Sequence, residues 1–135
     1  NLGTVLDTLE LKECLECYKE ALALNPADYR SNQTIASYYL KNISEKACDE
    51  HIEEIETIIL PHIEFLILKC PSTASGYNLA SWAYTLLAHG YLMTDDIEKF
   101  KTYRTQAKKY LQLSELFHEN KSIYDANLNR FNRLG

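Results

Sequence analysis

The chain has 135 residues, 46% of them hydrophobic and 24% charged, which are the proportions of one globular domain. Four glycines and three prolines are too few for a turn-rich β fold, so the composition favours helices. The net charge of −5 argues against a nucleic-acid partner. The sequence has no apolar run of about 20 residues, so we expect no membrane insertion in this segment.

The charge is unevenly distributed along the chain. Residues 1–70 carry 13 acidic and 6 basic side chains, whereas residues 71–135 carry 6 acidic and 8 basic ones. Two ordinary solvated faces explain this asymmetry, and recognition of a partner or a neighbouring domain is the alternative.

Apolar residues recur at helical spacing through nearly the whole chain. A proline closes two of the predicted helices, at Asn25-Pro26 and at Cys70-Pro71, and Pro61 should kink a third. Ser44 and Thr94 are predicted N-caps. The helix after Pro71 is predicted to end either near His89, with Gly90 as its terminating residue, or near Leu92. The predicted helices cover about residues 2–9, 10–24, 27–41, 44–69, 74–92 and 94–119, with 121–135 as a last helix or tail.

One stretch, residues 14–26, has a specific pattern. A small residue is followed by an aromatic one, an Ala-Leu pair, a further leucine and a proline at fixed spacing: Cys14, Tyr18, Ala21, Leu22, Leu24 and Pro26. This pattern resembles the second helix of the tetratricopeptide repeat, a helix–turn–helix unit. Looser matches follow at Ala36 and Tyr39, and again at Trp82, Ala83, Leu86 and Gly90.

The resemblance implies an all-α fold of antiparallel helical hairpins stacked as a tetratricopeptide-like array in a single domain, residues 1–135. It also implies that the first helix of each hairpin lines a groove that binds a partner peptide. Carried onto this chain, the groove positions are Arg30, Gln33, Ser37, Lys41, Tyr77 and Tyr84. The predicted second helices of the hairpins are longer than those of the family. The hairpins could therefore form either an open array or a closed bundle.

Cys14 and Cys17 form a Cys-x-x-Cys pair, which in other proteins is a redox or zinc motif. Here the pair lies within a predicted helix among glutamates, which raise a thiol pKa, and no second pair completes a zinc site. We therefore interpret Cys14 as a small packing residue. His51 and Glu54 lie one turn apart, but a solvated acidic face explains them without a metal.

His62 follows Pro61, and we expect it to hydrogen-bond a carbonyl that the kink frees. No catalytic motif is recognisable, so we expect no catalytic residues, no metal site and no cofactor in this segment. Three Asn-x-Ser/Thr triplets, at Asn32, Asn42 and Asn120, fit the N-glycosylation pattern, which often arises by chance.

The helix predicted over residues 94–119 carries a basic stripe beside its apolar face. Lys101, Arg104 and Lys108 fall within about 60° of one another on a helical wheel. A solvated face explains the stripe, and a basic patch that binds an acidic partner or another domain is the alternative.

We expect a module that binds a protein or peptide partner in the groove, with oligomerisation left open. The alternative is an accessory domain of a larger enzyme, membrane-bound or not, that positions substrate or fixes the oligomeric state. A third hypothesis, a metal-dependent helical enzyme, would depend on His51, Glu54 and the cysteines.

The chain begins with Asn and its first residues look helical without a cap, so we expect a piece of a longer protein. Free cysteines favour a reducing cytoplasm. A periplasmic or secreted setting stays open because a signal would lie before residue 1.

Overall fold

A computed structural model describes residues 16–117 and 120–134 of the chain. All regular secondary structure in this described part is helical, which confirms the predicted all-α class. In chain order it comprises α1 (16–24), α2 (Tyr29–Lys41), a 3₁₀ helix (Glu45–His51), α3 (Ile52–Glu54), a π-helical turn (Ile55–Ile59), α4 (Leu60–Lys69), α5 (Ala74–Met93), α6 (Ile97–Phe117) and α7 (Lys121–Asn132).

Side-chain caps begin α2 and α7. Asp28 accepts a hydrogen bond from the backbone N–H of Ser31 at 3.4 Å, so α2 begins two residues later than the predicted Ala27. Asn120 accepts from the N–H of Ser122 at 2.9 Å and begins α7, which confirms a last helix. The predicted short helix over residues 2–9 lies outside the described residues.

The helix predicted over residues 44–69 is not one α-helix. Ser44 does cap its start, but residues Glu45–His51 form a 3₁₀ helix, and Ala47 leaves helical geometry with φ −129° and ψ 26°. The expected irregularity near Pro61 lies earlier, as the π-helical turn over Ile55–Ile59. Proline lacks an N–H and crowds the carbonyl four residues back, and widening the preceding turn relieves that crowding.

Two predictions at the ends of α5 and α6 are wrong. Gly90 does not end α5, which continues to Met93 with Thr94 as its C-cap. Thr94 therefore does not begin α6; instead the Asp96 carboxylate accepts from the N–H of Lys99 at 3.2 Å. Gly90 has a packing role, because a Cβ there would come within 2.8 Å of Ile52 Cγ1 and 3.0 Å of the Cys48 carbonyl oxygen.

α5 is the central helix of the fold. It contacts α2, the 3₁₀ helix, α3, the π-helical turn, α4, α6 and α7, and 12 of its 20 residues are buried. The core is a cluster of apolar side chains from these elements that includes Leu40, Cys48, Ile59, Leu66 and Leu87. α5 therefore determines which side of the molecule each neighbouring helix occupies.

Candidate partner-binding face

The four predicted groove residues of α2 share one face of that helix. Arg30 and Lys41 are exposed at its two ends, and Gln33 and Ser37 are partly exposed between them. Gln33 Nε2 donates to Ser75 Oγ at 2.6 Å. This hydrogen bond places the α2 face beside the first turn of α5.

Tyr77 and Tyr84 do not join that face. Tyr77 is only 7% exposed, and its hydroxyl donates to the Pro71 carbonyl oxygen at 2.6 Å. At 100° per residue, Tyr77 lies roughly 200° around α5 from Ser75, which contacts α2. The structure therefore separates the six predicted groove residues into a set of four on α2 and two tyrosines that face α6.

The two tyrosines belong to an aromatic ladder between α5 and α6. Each of the two helices carries aromatic rings at intervals of seven residues. The rings of one helix stack on the rings of the other, and the centroids of the stacked pairs are 5.4–6.2 Å apart. Because the last α5 ring stacks on the first α6 ring, the two helices form an antiparallel hairpin. The ladder consists of Tyr77, Tyr84 and Tyr91 from α5 and Tyr103, Tyr110 and Phe117 from α6.

Glu56, in the π-helical turn, closes one end of the aromatic ladder. Its carboxylate accepts a short hydrogen bond from the Tyr91 hydroxyl and a second, at 3.3 Å, from the Tyr103 hydroxyl. The pKa of Tyr91 is raised above its ordinary value, mainly by burial and secondly by this hydrogen bond to Glu56. Burial is also the main cause that raises the pKa of Tyr103. The π-helical turn thus places a carboxylate where it satisfies two phenols.

A different strip of α5 faces the space between α2 and α7. Ser75 contacts α2, whereas Asn78 accepts a hydrogen bond from Asn127 Nδ2 of α7 at 3.4 Å. Ser75, Asn78 and Trp82 lie within about 60° of one another on α5 at 100° per residue. Trp82 is partly exposed, and on a helical wheel it lies between Ser75 and Asn78.

Arg130 of α7 covers the ring of Trp82. Its guanidinium carbon is 4.0 Å from the ring centroid, and Nη1 donates to Asn127 Oδ1 at 2.6 Å. Burial lowers the pKa of Arg130, so this cation is partly removed from water. We call the surface formed by Gln33, Ser75, Asn78, Trp82 and Arg130, together with Asn127, which is only 3% exposed, the α2–α5–α7 face.

The three predicted basic residues of α6 have different surroundings. Lys101 and Lys108 are exposed. Arg104 instead places its guanidinium carbon 5.1 Å from the centroid of the Phe131 ring and so helps to pack α6 against α7.

The cysteines that the structure describes differ in their exposure. Cys14 lies outside the described residues, Cys17 is exposed and Cys48 is fully buried. Burial raises the pKa of the Cys48 thiol to about 11, which makes it a poor nucleophile.

His51 Nδ1 and Glu54 Oε2 are 2.8 Å apart. Within residues 16–117 and 120–134, no group of three or more His, Cys, Asp and Glu side chains is arranged to hold a metal.

His62 does not bond a freed carbonyl as predicted. Its Nδ1 is 2.7 Å from Asn32 Oδ1, and Asn32 Nδ2 donates to the carbonyl oxygens of Asp28 and Pro26 at 2.8 and 3.3 Å. The Asn32 amide, only 4% exposed, ties α4 to the turn before α2. This burial makes Asn32 a poor acceptor for glycosylation, whereas Asn42 and Asn120 are exposed.

Comparison with protein-family models, with curated proteins and with solved structures finds no match to this chain. In the part of the chain that the structure describes, no helix is both long enough and apolar enough to span a membrane.

The sequence predicted a partner-binding role for α2 but missed Asn78, Trp82, Asn127 and Arg130. The spacing of Ser75, Asn78 and Trp82 by three and four residues was a visible signal of one shared helix face. Arg130 lies 48 positions beyond Trp82 in sequence, so only the packing of α7 on α5 reveals the pair.

Proposed function

We propose that this segment is a protein–protein interaction module of the tetratricopeptide type, which binds a partner peptide on the α2–α5–α7 face. In this proposal, α2, α5 and α7 are the first helices of successive hairpins. The observation that carries it is the Trp82–Arg130 stack on the strip of α5 between α2 and α7. Tryptophan and arginine are the residues most enriched at interface hot spots.

The remaining side chains of the face suit a peptide backbone. Gln33 and Asn78 are partly exposed amides, and each amide both donates and accepts hydrogen bonds. Gln33 donates to Ser75 Oγ at 2.6 Å, and Asn78 accepts from Asn127 at 3.4 Å; Asn127 itself is only 3% exposed and accepts from Arg130. A partner peptide can hydrogen-bond the two partly exposed amides with its own amide groups, while the Trp82 ring supplies apolar contact.

A displayed library of random peptides selected on this chain tests the proposal. We expect selected peptides to bind with a Kd that calorimetry can measure, and Trp82→Ala to weaken binding by about 2 kcal/mol or more, roughly thirtyfold. Lys108→Gln, on the exposed side of α6, is the control and should leave binding unchanged.

Trp82→Ala also removes packing, so Trp82→Phe and a circular dichroism spectrum of each variant accompany the measurement. The proposal is wrong if no peptide is selected, or if folded Trp82 variants bind the selected peptides as tightly as the parent chain.

A further inference from the structure

We infer that the partner segment presents a carboxylate side chain, Glu or Asp, to Arg130. This inference rests on the proposed function and adds the chemistry of the ligand. It follows from an arginine that is partly buried, oriented by its neighbours and left without a carboxylate of its own.

The Arg130 guanidinium is held at one face and one edge. Its flat face lies on the Trp82 ring, and Nη1 donates to Asn127 Oδ1. A guanidinium has five N–H donors in a planar fork, and the bond to Asn127 uses one of them. Among the residues that the structure describes, no carboxylate forms an ion pair with Arg130.

Glu45 attracts Arg130 electrostatically, but its hydrogen bonds are made to another arginine. Glu45, at the start of the 3₁₀ helix, receives both Nε and Nη2 of Arg133, with the Nε–Oε2 distance at 2.9 Å. Hydrogen bonding to Arg133 holds the pKa of Glu45 below its ordinary value, so it stays ionised and paired. Arg130 therefore contributes a positive charge that the chain leaves without a direct partner.

Other groups near this face do not supply the missing anion. The ring of His89 has a buried Nε2 without a hydrogen-bond partner in the described part of the chain, and burial lowers the pKa of His89, which favours the neutral ring. Among the described residues, neither an ion pair nor this ring thus neutralises Arg130 directly.

A carboxylate is the group that fits this arrangement. The planar fork of arginine matches the two oxygens of a carboxylate, and partial burial strengthens their attraction. The whole chain carries a net charge of −5, so it does not attract acidic peptides indiscriminately. Any preference for an acidic peptide must therefore come from this local site.

Two short degenerate peptide pools, fluorescein-labelled and identical except for Glu or Gln at one central position, provide the test. Anisotropy titrations with the parent chain should show the Glu pool binding about tenfold more tightly. Arg130→Gln should abolish this preference, and Arg130→Lys should retain part of it because Lys keeps the charge but loses the fork. Lys108→Gln removes the same charge from exposed α6 and should leave the preference intact.

The outcomes separate this inference from the proposed function. Equal binding of the two pools, with loss of both in Trp82→Ala, would retain the peptide-binding role and refute the carboxylate. A Glu preference that survives Arg130→Gln in a variant with an unchanged circular dichroism spectrum also refutes the assignment to Arg130. Failure of both pools to bind at any soluble concentration would refute both proposals.

Discussion

Cys17 and Cys48 have opposite surroundings within one small chain. Cys17 is exposed on α1, whereas the Cys48 thiol is buried beside the carbonyl oxygens of Ser44 and Glu45, both 3.5 Å from its sulfur. The residues next to Cys48 in sequence are mostly charged, so the packing of the core, and not the local sequence, reveals this burial. The spacing of Cys14 and Cys17 attracts a chemical interpretation, but Cys14 lies outside the described residues and its packing role stays a prediction.

A brief pulse of N-ethylmaleimide on the native protein should therefore label Cys17 fully and Cys48 hardly at all. Cys17 is exposed to the reagent, whereas burial shields the Cys48 thiol and raises its pKa to about 11. Peptide mass spectrometry measures the labelling, and a urea-unfolded sample, in which both residues react, is the control. Equal labelling of the two cysteines in the native protein would contradict the burial of Cys48.

Tyr84, in the middle of the aromatic ladder, gives a pH-dependent test. Its unfolded pKa is 10.0, and burial between the rings of Tyr103 and Tyr110 raises the folded pKa to about 12. Between pH 10.0 and about pH 12, the Tyr84 hydroxyl keeps its proton in the folded state and loses it in the unfolded state. The stability that Tyr84 contributes through this shift is thus complete below pH 10 and is lost as pH rises through the interval.

We expect Tyr84→Phe to lose stability less steeply than the parent chain between about pH 9 and about pH 12, because phenylalanine has no proton to release. Urea unfolding followed by circular dichroism at several pH values measures the slopes. Parallel slopes for the two proteins would show that the Tyr84 hydroxyl is not sheltered by the aromatic ladder.

At the scale of helices, most boundaries follow from caps and prolines that can be read in the sequence. Pro26 and Ser44 mark ends and starts where the structure has them. The π-helical turn and the 3₁₀ helix were not predictable, because hydrophobic spacing does not distinguish them from an α-helix. Gly90 was misread as a terminator because a glycine near a helix end and a glycine at a close helix contact look the same in sequence.

Gly90→Ala should destabilise the protein by about 1–3 kcal/mol, despite alanine's higher helix propensity, because the added methyl group meets Ile52 and the Cys48 backbone. Thermal unfolding measures the effect. In an Ile52→Ala background the same change should cost less, because the nearest clashing atoms are gone. An identical cost in both backgrounds would exclude the contact between Gly90 and Ile52.

At the scale of the whole molecule, α5 is the centre, and its neighbours divide its surface. One side bears the aromatic ladder toward α6, a second side meets α3 and α4, and a third lies between α2 and α7. Sequence pattern predicted the all-α class. The groove positions implied by the repeat resemblance grouped Tyr77 and Tyr84 with the α2 residues, because α5 carries apolar or aromatic residues on several sides and its sequence does not show which of them meets α6.

The proposed function places the partner on the α2–α5–α7 face and not on the aromatic ladder. Amide and indole chemical shifts of the ¹⁵N-labelled protein, recorded while a selected peptide is added, test it most directly. We expect the largest changes at the Trp82 indole N–H and at Gln33, Asn78 and Asn127, with the amides of Tyr103 and Tyr110 unchanged. Changes that cluster instead around Lys101 and Lys108 of α6 would contradict the claim.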